Sequence, residues 1–232
     1  MASRANPPDR VEAFRKLPDW TGIWIATAAL DTDVGGRPKD IRVYTLASGH
    51  PPYNATWEAQ YQARLKQAGQ GVFKSCNMDY PTIMQSPQPF ELTVTPEETL
   101  FTAGDGSIRH IYTDGRGHTP ADELIPSRMG DSVGHWEGDT LVVETIGRRA
   151  GPTLLGGLIS YSDAALFLER IRMKDRNTLE DDLVVEDPTA LTAPWKLTFN
   201  YERVTYTNHL VAYECDDDRI EIVDGKARIA PP

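Results

Sequence analysis

The run Gly130-Asp131-Ser132-Val133-Gly134 matches G-x-S-x-G, a pattern that presents a nucleophilic serine on a strand-to-helix turn beside backbone N–H donors. Ser132 would then attack an ester carbonyl. The following residues do not supply that setting. His135-Trp136-Glu137-Gly138-Asp139-Thr140-Leu141-Val142-Val143-Glu144-Thr145 forms two β-rich runs around a Glu-Gly-Asp turn, without a 3.6-residue apolar period. A hairpin is predicted, with Glu137 and Asp139 serving its turn, and Ser132→Ala is expected to leave ester cleavage unaffected.

Other residues have better chemical prospects. Asp114-Gly115-Arg116-Gly117-His118 gathers an acid, a guanidinium and an imidazole within five residues. Arg116 can clamp a carboxylate or steady a phenolate, and His118 can move a proton near neutral pH. The alternative is structural, with Asp114 and Arg116 bracing the turn and His118 in solvent. Glu169 lies between Phe167 and Ile171 on the apolar face of its strand, where a carboxylate is a general base or half of an ion pair with Arg109 or Arg116. In residues 107–113, Ile108 shares its face with His110 and Tyr112, so this face is expected to point inward. Tyr112 and Tyr161 are phenol donors to a substrate oxygen, or half-buried aromatics.

Metal and cofactor signatures do not assemble. His50, His110, His118, His135 and His209 lack H-x-H or H-E-x-x-H spacing, Cys76 and Cys215 stand apart, and no G-x-G-x-x-G or Walker pattern occurs. Asp31-x-Asp33 begins like a calcium loop, but its twelfth position is Arg42 instead of a bidentate glutamate. The expectation is a site without metal or cofactor.

The elements that must hold these residues are mostly strands. The first spans residues 21–27; the rest are predicted at 90–95, 99–103, 107–113, 132–137, 139–146, 165–174, 179–186, 195–205 and 209–215. In the strand 195–205, Trp195, Leu197, Phe199 and Tyr201 alternate with Lys196, Thr198, Asn200 and Glu202. One clear helix is predicted over 54–69, capped by Asn54 or Thr56, with Trp57, Tyr61 and Leu65 on one face and Gly69 ending it. A shorter helix can form in Asp9–Leu17. Many consecutive strands with short links imply antiparallel pairing that must close on itself. The fold class is therefore all-β (mainly), a single antiparallel barrel over residues 19–232 with one flanking helix, preceded by a surface segment 1–18.

Composition sets limits on partners. Thirty-four acidic against 24 basic residues leave a net charge of −10 over 232 residues, unsuited to nucleic acid or an anionic membrane. A small molecule remains, and an acidic barrel with exposed edges can form a homo-oligomer. The first ten residues lack an apolar stretch, which predicts a cytoplasmic protein with two reduced thiols.

Gly134-His135-Trp136-Glu137-Gly138-Asp139-Thr140-Leu141-Val142-Val143-Glu144-Thr145, preceded by Asp114-Gly115-Arg116-Gly117-His118, resembles the signature of a large, mostly uncharacterised bacterial family. In that family a D-G-R-x-H block precedes G-x-W-E-G-D-T-L-V-V-[DE]-T. The resemblance also runs through Asp19 to Trp24, Cys76, Pro81 to Met84, Glu169-Arg170, Glu186-Asp187-Pro188, Pro194-Trp195 and Glu214-Cys215, nearly the full chain. It implies a lipocalin-like β-barrel. The chain departs from the pattern at Tyr161-Ser162, where relatives show His-Ser, and at Asp79-Tyr80, where they show Gly and an apolar residue.

A barrel of this kind is similar to the cofactor-independent lyases and isomerases of bacterial aromatic catabolism, including those that strip formaldehyde from lignin-derived dimers. Such chemistry needs a base, a group that steadies an anionic oxygen, a proton donor and an apolar box. The expected catalytic set is His118 or Glu169 as base, Arg116 for the oxygen and Tyr161 as donor. Tyr80, His110, Tyr112, His135 and Trp136 are expected to bind an aromatic substrate. The rival expectation is a non-catalytic carrier of an apolar molecule; an isomerase or dehydratase would use the same pocket.

Overall fold

The computed structural model describes residues 6–27, 50–67, 78–85, 88–153, 159–210, 220–223 and 226–229. Cys76, Cys215, Gly69 and the Asp31–Asp33 run lie outside them, as does most of the predicted strand 209–215.

Nine strands close a barrel among the described residues. In chain order these are β1 (Gly22–Ala26), β2 (Phe90–Val94), β3 (Glu98–Ala103), β4 (Ile108–Tyr112), β5 (Asp131–Glu137), β6 (Thr140–Ile146), β9 (Leu166–Asp175), β10 (Thr178–Glu186) and β11 (Trp195–Arg203). Two short pairs stand apart: β7 (Gly151–Pro152) with β8 (Ser160–Tyr161), and β12 (Ile220–Val223) with β13 (Lys226–Ile229). The wall runs β1-β11-β10-β9-β6-β5-β4-β3-β2 and returns to β1.

Antiparallel pairing holds around the wall except at one seam. There β4 and β5 run parallel, with Ile111 opposite Ser132 and Tyr112 opposite Val133. A parallel pair needs a long crossover instead of a tight turn, and residues 113–130 supply it. The hairpin expected around Glu137-Gly138-Asp139 is present as β5–β6, with Glu137 opposite Thr140 and Gly138 at φ 61°.

Alternation decides what fills the barrel. Along β11, Trp195, Leu197 and Tyr201 are buried while Lys196, Thr198 and Glu202 are exposed, as their spacing predicts. On β10 the inward set is Leu179, Asp181, Leu183 and Val185; on β9 it includes Phe167, Glu169 and Ile171. Two glycines are required where the seam is tight. A Cβ on Gly134 would lie 2.9 Å from the Val142 carbonyl oxygen and 3.1 Å from Ile111 Cγ2. At Gly130, φ is +72° and a Cβ would sit 2.8 Å from both the Ile146 oxygen and Thr145 Cγ2. Gly130→Ala combines left-handed strain with overpacking and is expected to cost at least about 2 kcal/mol in denaturant unfolding. A loss within experimental error would show that the 128–131 backbone relaxes freely.

Three helices are described, the two the sequence offered and one more: α1 (Pro8–Phe14), α2 (Ala55–Gln67) and α3 (Thr82–Gln85). Asn54 caps α2, its Oδ1 accepting from the backbone N–H groups of Thr56 and Trp57. Tyr61 on α2 is buried and packs against Tyr53 and His50. Tyr53 in turn ties this layer to β8, donating its hydroxyl to the Ser160 carbonyl at 2.8 Å. The segment leading into α3 contains a cis Tyr80–Pro81 peptide and buries Tyr80, Ile83 and Met84 against the barrel contents. No helix among the described residues is long and apolar enough to cross a membrane.

Candidate functional site

Among the described residues the barrel interior is apolar apart from polar side chains supplied by seven wall strands, with the α3 segment beside them. Arg109 on β4 stands opposite Phe101 on β3 and points inward with Ile111. The expectation for this strand is therefore reversed: Ile108 and His110 are on the exposed face and Tyr112 is half-buried, because the β3 register turns Arg109 inside.

A buried guanidinium needs a counterion, and Glu169 on β9 supplies it. Arg109 Nη1 donates to Glu169 Oε1 at 2.9 Å and Nη2 to Oε2 at 2.5 Å, with neither side chain exposed. Nη1 also meets Met84 Sδ at 2.8 Å, and Nη2 donates to Thr145 Oγ1 at 3.0 Å. The Tyr80 ring covers the guanidinium, 3.9 Å from Cζ to ring centroid. Burial works against the Arg109 charge, but Glu169, with Tyr80 and Asp181, outweighs it, and the pKa rises above the ordinary arginine value.

Asp181 on β10 is opposite Ile171, which places it diagonally from Glu169 across the β9–β10 pair, a spacing of about 7–8 Å. Burial pushes its pKa well above the carboxylate range, reinforced by the charge of Glu169 and only partly opposed by Arg109. Burial therefore favours the protonated form of Asp181. Tyr201 on β11 adjoins it, and burial likewise drives the Tyr201 and Tyr80 phenols well above their ordinary value. Both remain O–H donors. Tyr201 and Asp181 sense each other's protons, yet neither completes a well-formed hydrogen bond.

Incomplete bonding marks the cluster as a whole. Among the described residues, Tyr80 Oη, Thr99 Oγ1, Arg109 Nε, both Asp181 oxygens and Tyr201 Oη are buried without a hydrogen-bond partner. Native interiors tolerate few such atoms, and each one asks for water, a ligand or a chemical role.

Ser132 belongs to this interior as well. It lies mid-sheet on β5, 2 % exposed, its hydroxyl 2.8 Å from Thr145 Oγ1 and no helix following it. Ser132→Ala is expected to cost about 1 kcal/mol by removing that bond; a neutral result in urea unfolding would mean that the Thr145 hydroxyl is fully served by Arg109.

The other expected site residues are dispersed. His118 faces Asp131 Oδ2 at 3.3 Å and Glu144 Oε1 at 3.1 Å, and Glu144 is on the outer face of β6, so His118 and Glu169 do not share a pocket. Arg116 grips Asp114 through Nε and Nη2 and covers the Tyr112 ring at 3.9 Å, holding the Asp114 carboxyl down to about 2. His110 pairs with Glu98, and exposed His135 with Glu137. Glu137 is also paired with Arg170 instead of closing its own turn. Trp136, four residues beyond Ser132, meets Trp20 edge-on at 4.9 Å and lines an outer groove of about 520 Å³ between α1 and the β5–β6 turn.

Tyr80 and Tyr161 are in the core, each edge-on to Phe167 at 4.9 and 5.0 Å. Arg148 secures this end: Nη2 bonds Asp79 Oδ2 at 2.8 Å, Nε bonds the Tyr80 carbonyl at 2.7 Å, and Nη1 reaches the Arg149 and Gly151 carbonyls. Burial raises the Tyr161 phenol despite the Arg148 charge beside it.

No protein-family model and no curated protein matches the chain.

The residues missed in the sequence are Arg109 as an inward group, Asp181, Tyr201 and Thr99. Asp181 left a visible signal, since it shares parity with Leu179, Leu183 and Val185. Among the described residues, no group of three or more His, Cys, Asp or Glu side chains is placed to hold a metal ion. What the interior offers chemically is hydrogen-bond donors, the Tyr80 and Tyr201 phenols and the Asp181 carboxyl, beside a carboxylate already fixed by Arg109.

Proposed function

We propose that the barrel interior is the active centre of a cofactor-independent lyase acting on a phenolic, lignin-derived small molecule. The observation that carries this reading is the pair of buried carboxyls in unlike settings, Glu169 ion-paired with Arg109 and Asp181 buried without a hydrogen-bond partner, where burial favours its protonated form. Two carboxyls whose environments separate their protonation provide an acid and a base. Asp181 is the general acid and Glu169 the base, while Tyr80 and Tyr201 donate hydrogen bonds to the reacting oxygen. Phe90, Phe101 and Phe167 form the apolar box. His118 and Arg116 are assigned to the outer wall.

The resemblance of the Gly134–Thr145 block to the bacterial barrel family supports the same reading, with the lipocalin-like form as the shape of the binding chamber. A second reading, a non-catalytic carrier, draws on the enclosure of the cluster, whose side chains are almost wholly sealed from solvent. The test is incubation of purified protein, with chelator and no added cofactor, with a panel of phenolic lignin dimers. Formaldehyde release and a product lighter by that mass support the lyase. Substrate recovered unchanged while it raises the melting temperature supports the carrier.

A further inference from the structure

This inference rests on the barrel interior being a small-molecule site, and it names the class of molecule. The unpartnered atoms around Asp181 are unequal in kind. Tyr80 and Tyr201 each bring an O–H, Arg109 Nε an N–H, and Asp181 a carboxyl whose protonated form burial favours. If Tyr201 and Asp181 bond to each other, one hydrogen of the pair still lacks an acceptor. However the hydroxyls rotate, Arg109 Nε can only donate and is left without an acceptor.

Charge narrows the class further. The buried cations among the described residues are Arg109 and Arg148, paired with Glu169 and Asp79. A carboxylate or phenolate entering beside Asp181 would bring a charge with no counterion of its own into a desolvated space. The walls are aromatic: Phe90 meets Tyr201 edge-on at 5.4 Å and packs against Phe101 at 5.5 Å.

We propose that the barrel interior binds a neutral aromatic carbonyl compound, its carbonyl oxygen accepting hydrogen bonds from the Asp181 carboxyl and the Tyr201 hydroxyl. The two lone pairs of one carbonyl oxygen match those two donors. The same contacts draw electrons toward that oxygen, which opens a retro-aldol route when the adjacent carbon carries a hydroxymethyl group. Glu169 removes the hydroxyl proton, and the C–C bond to the hydroxymethyl carbon breaks. Formaldehyde leaves as the bonding pair forms an enol protonated on oxygen by Asp181. The enol then takes the Glu169 proton on carbon and returns its oxygen-bound proton to Asp181. Ketone and formaldehyde are the only products, and no oxidant or reductant is consumed.

The test uses the full chain and three matched probes, para-methoxyacetophenone, para-methoxybenzoate and para-ethylanisole, with binding read by calorimetry. The ketone is expected to bind at least about tenfold more tightly than either other probe. Its isotope-edited C=O stretch is expected to move to lower frequency on binding. Tyr201→Phe is expected to weaken the ketone about tenfold and leave para-ethylanisole unchanged. Asp181→Asn, which keeps a weaker N–H donor and nearly the same shape, provides a second variant in which the C=O shift shrinks. A benzoate that binds as tightly as the ketone, or an unshifted stretch, overturns the carbonyl assignment and leaves the interior site standing. Failure of all three probes to bind overturns both the assignment and the site.

Discussion

Arg109→Met is expected to lower stability by about 3–5 kcal/mol, because it strands Glu169 as an unpaired charge inside the barrel. Glu169→Leu is expected to cost a similar amount for the mirrored reason. The double variant should recover most of the loss, since two apolar side chains of comparable volume replace a pair whose desolvation nearly cancels its attraction. Urea unfolding of the four proteins closes the cycle, and the coupling term isolates the pair. Single variants within about 1 kcal/mol of the parent would mean that water reaches Glu169, contrary to a sealed interior. Tyr80 adds to the cost, because its ring would lose the guanidinium it covers at 3.9 Å.

Asp181→Asn is expected to lower turnover of the phenolic substrate about 100- to 10,000-fold, the usual range for removal of a general acid. Its effect on stability should run the other way. Burial, then the Glu169 charge, raises the Asp181 pKa in the folded state. Between the ordinary value of about 3.9 and that raised value, the folded protein binds a proton that the unfolded chain has released. The stabilisation is full below the ordinary value and declines as pH rises through the window, by up to about 1.4 kcal/mol per pH unit. Asparagine never ionises, so the variant should flatten this part of the pH profile and be at least as stable as the parent at neutral pH. A variant that turns over substrate like the parent would remove Asp181 from the mechanism; one whose profile keeps the parent's slope would mean that Asp181 is solvated.

Arg148 shows how much of the site depends on packing that no local pattern announces. Its neighbours in sequence, Gly147 and Arg149, give no hint that its side chain is 3 % exposed and bonded to Asp79 and the Tyr80 carbonyl. Asp79 and Tyr80, adjacent in sequence, part at this junction: Asp79 meets Arg148 while Tyr80 covers Arg109. His118 is the opposite case. Its proximity to Arg116 in sequence suggested a shared site, yet the chain turns His118 toward Asp131 and Glu144 while Arg116 folds back on Asp114.

The sequence by itself determined the mainly β character, the hairpin that follows Ser132 in place of a helix, the helix capped at Asn54 or Thr56 and the inward face of β11. These are properties of neighbouring residues: a strand alternates its faces and a helix repeats every 3.6 residues, so polarity along a short run is enough. Only the tertiary structure decided the parallel β4–β5 seam, the inward face of β4 and the meeting of Arg109, Glu169, Asp181, Tyr80 and Tyr201. Residues 107–113 place an isoleucine on each face, at Ile108 and Ile111, so alternation alone could not choose between them. The choice was made by strand register across the barrel, where Arg109 finds its counterion sixty positions away. Burying one charge is tolerable only where the other is already held, a condition that closure of the wall creates and a local stretch of sequence does not contain.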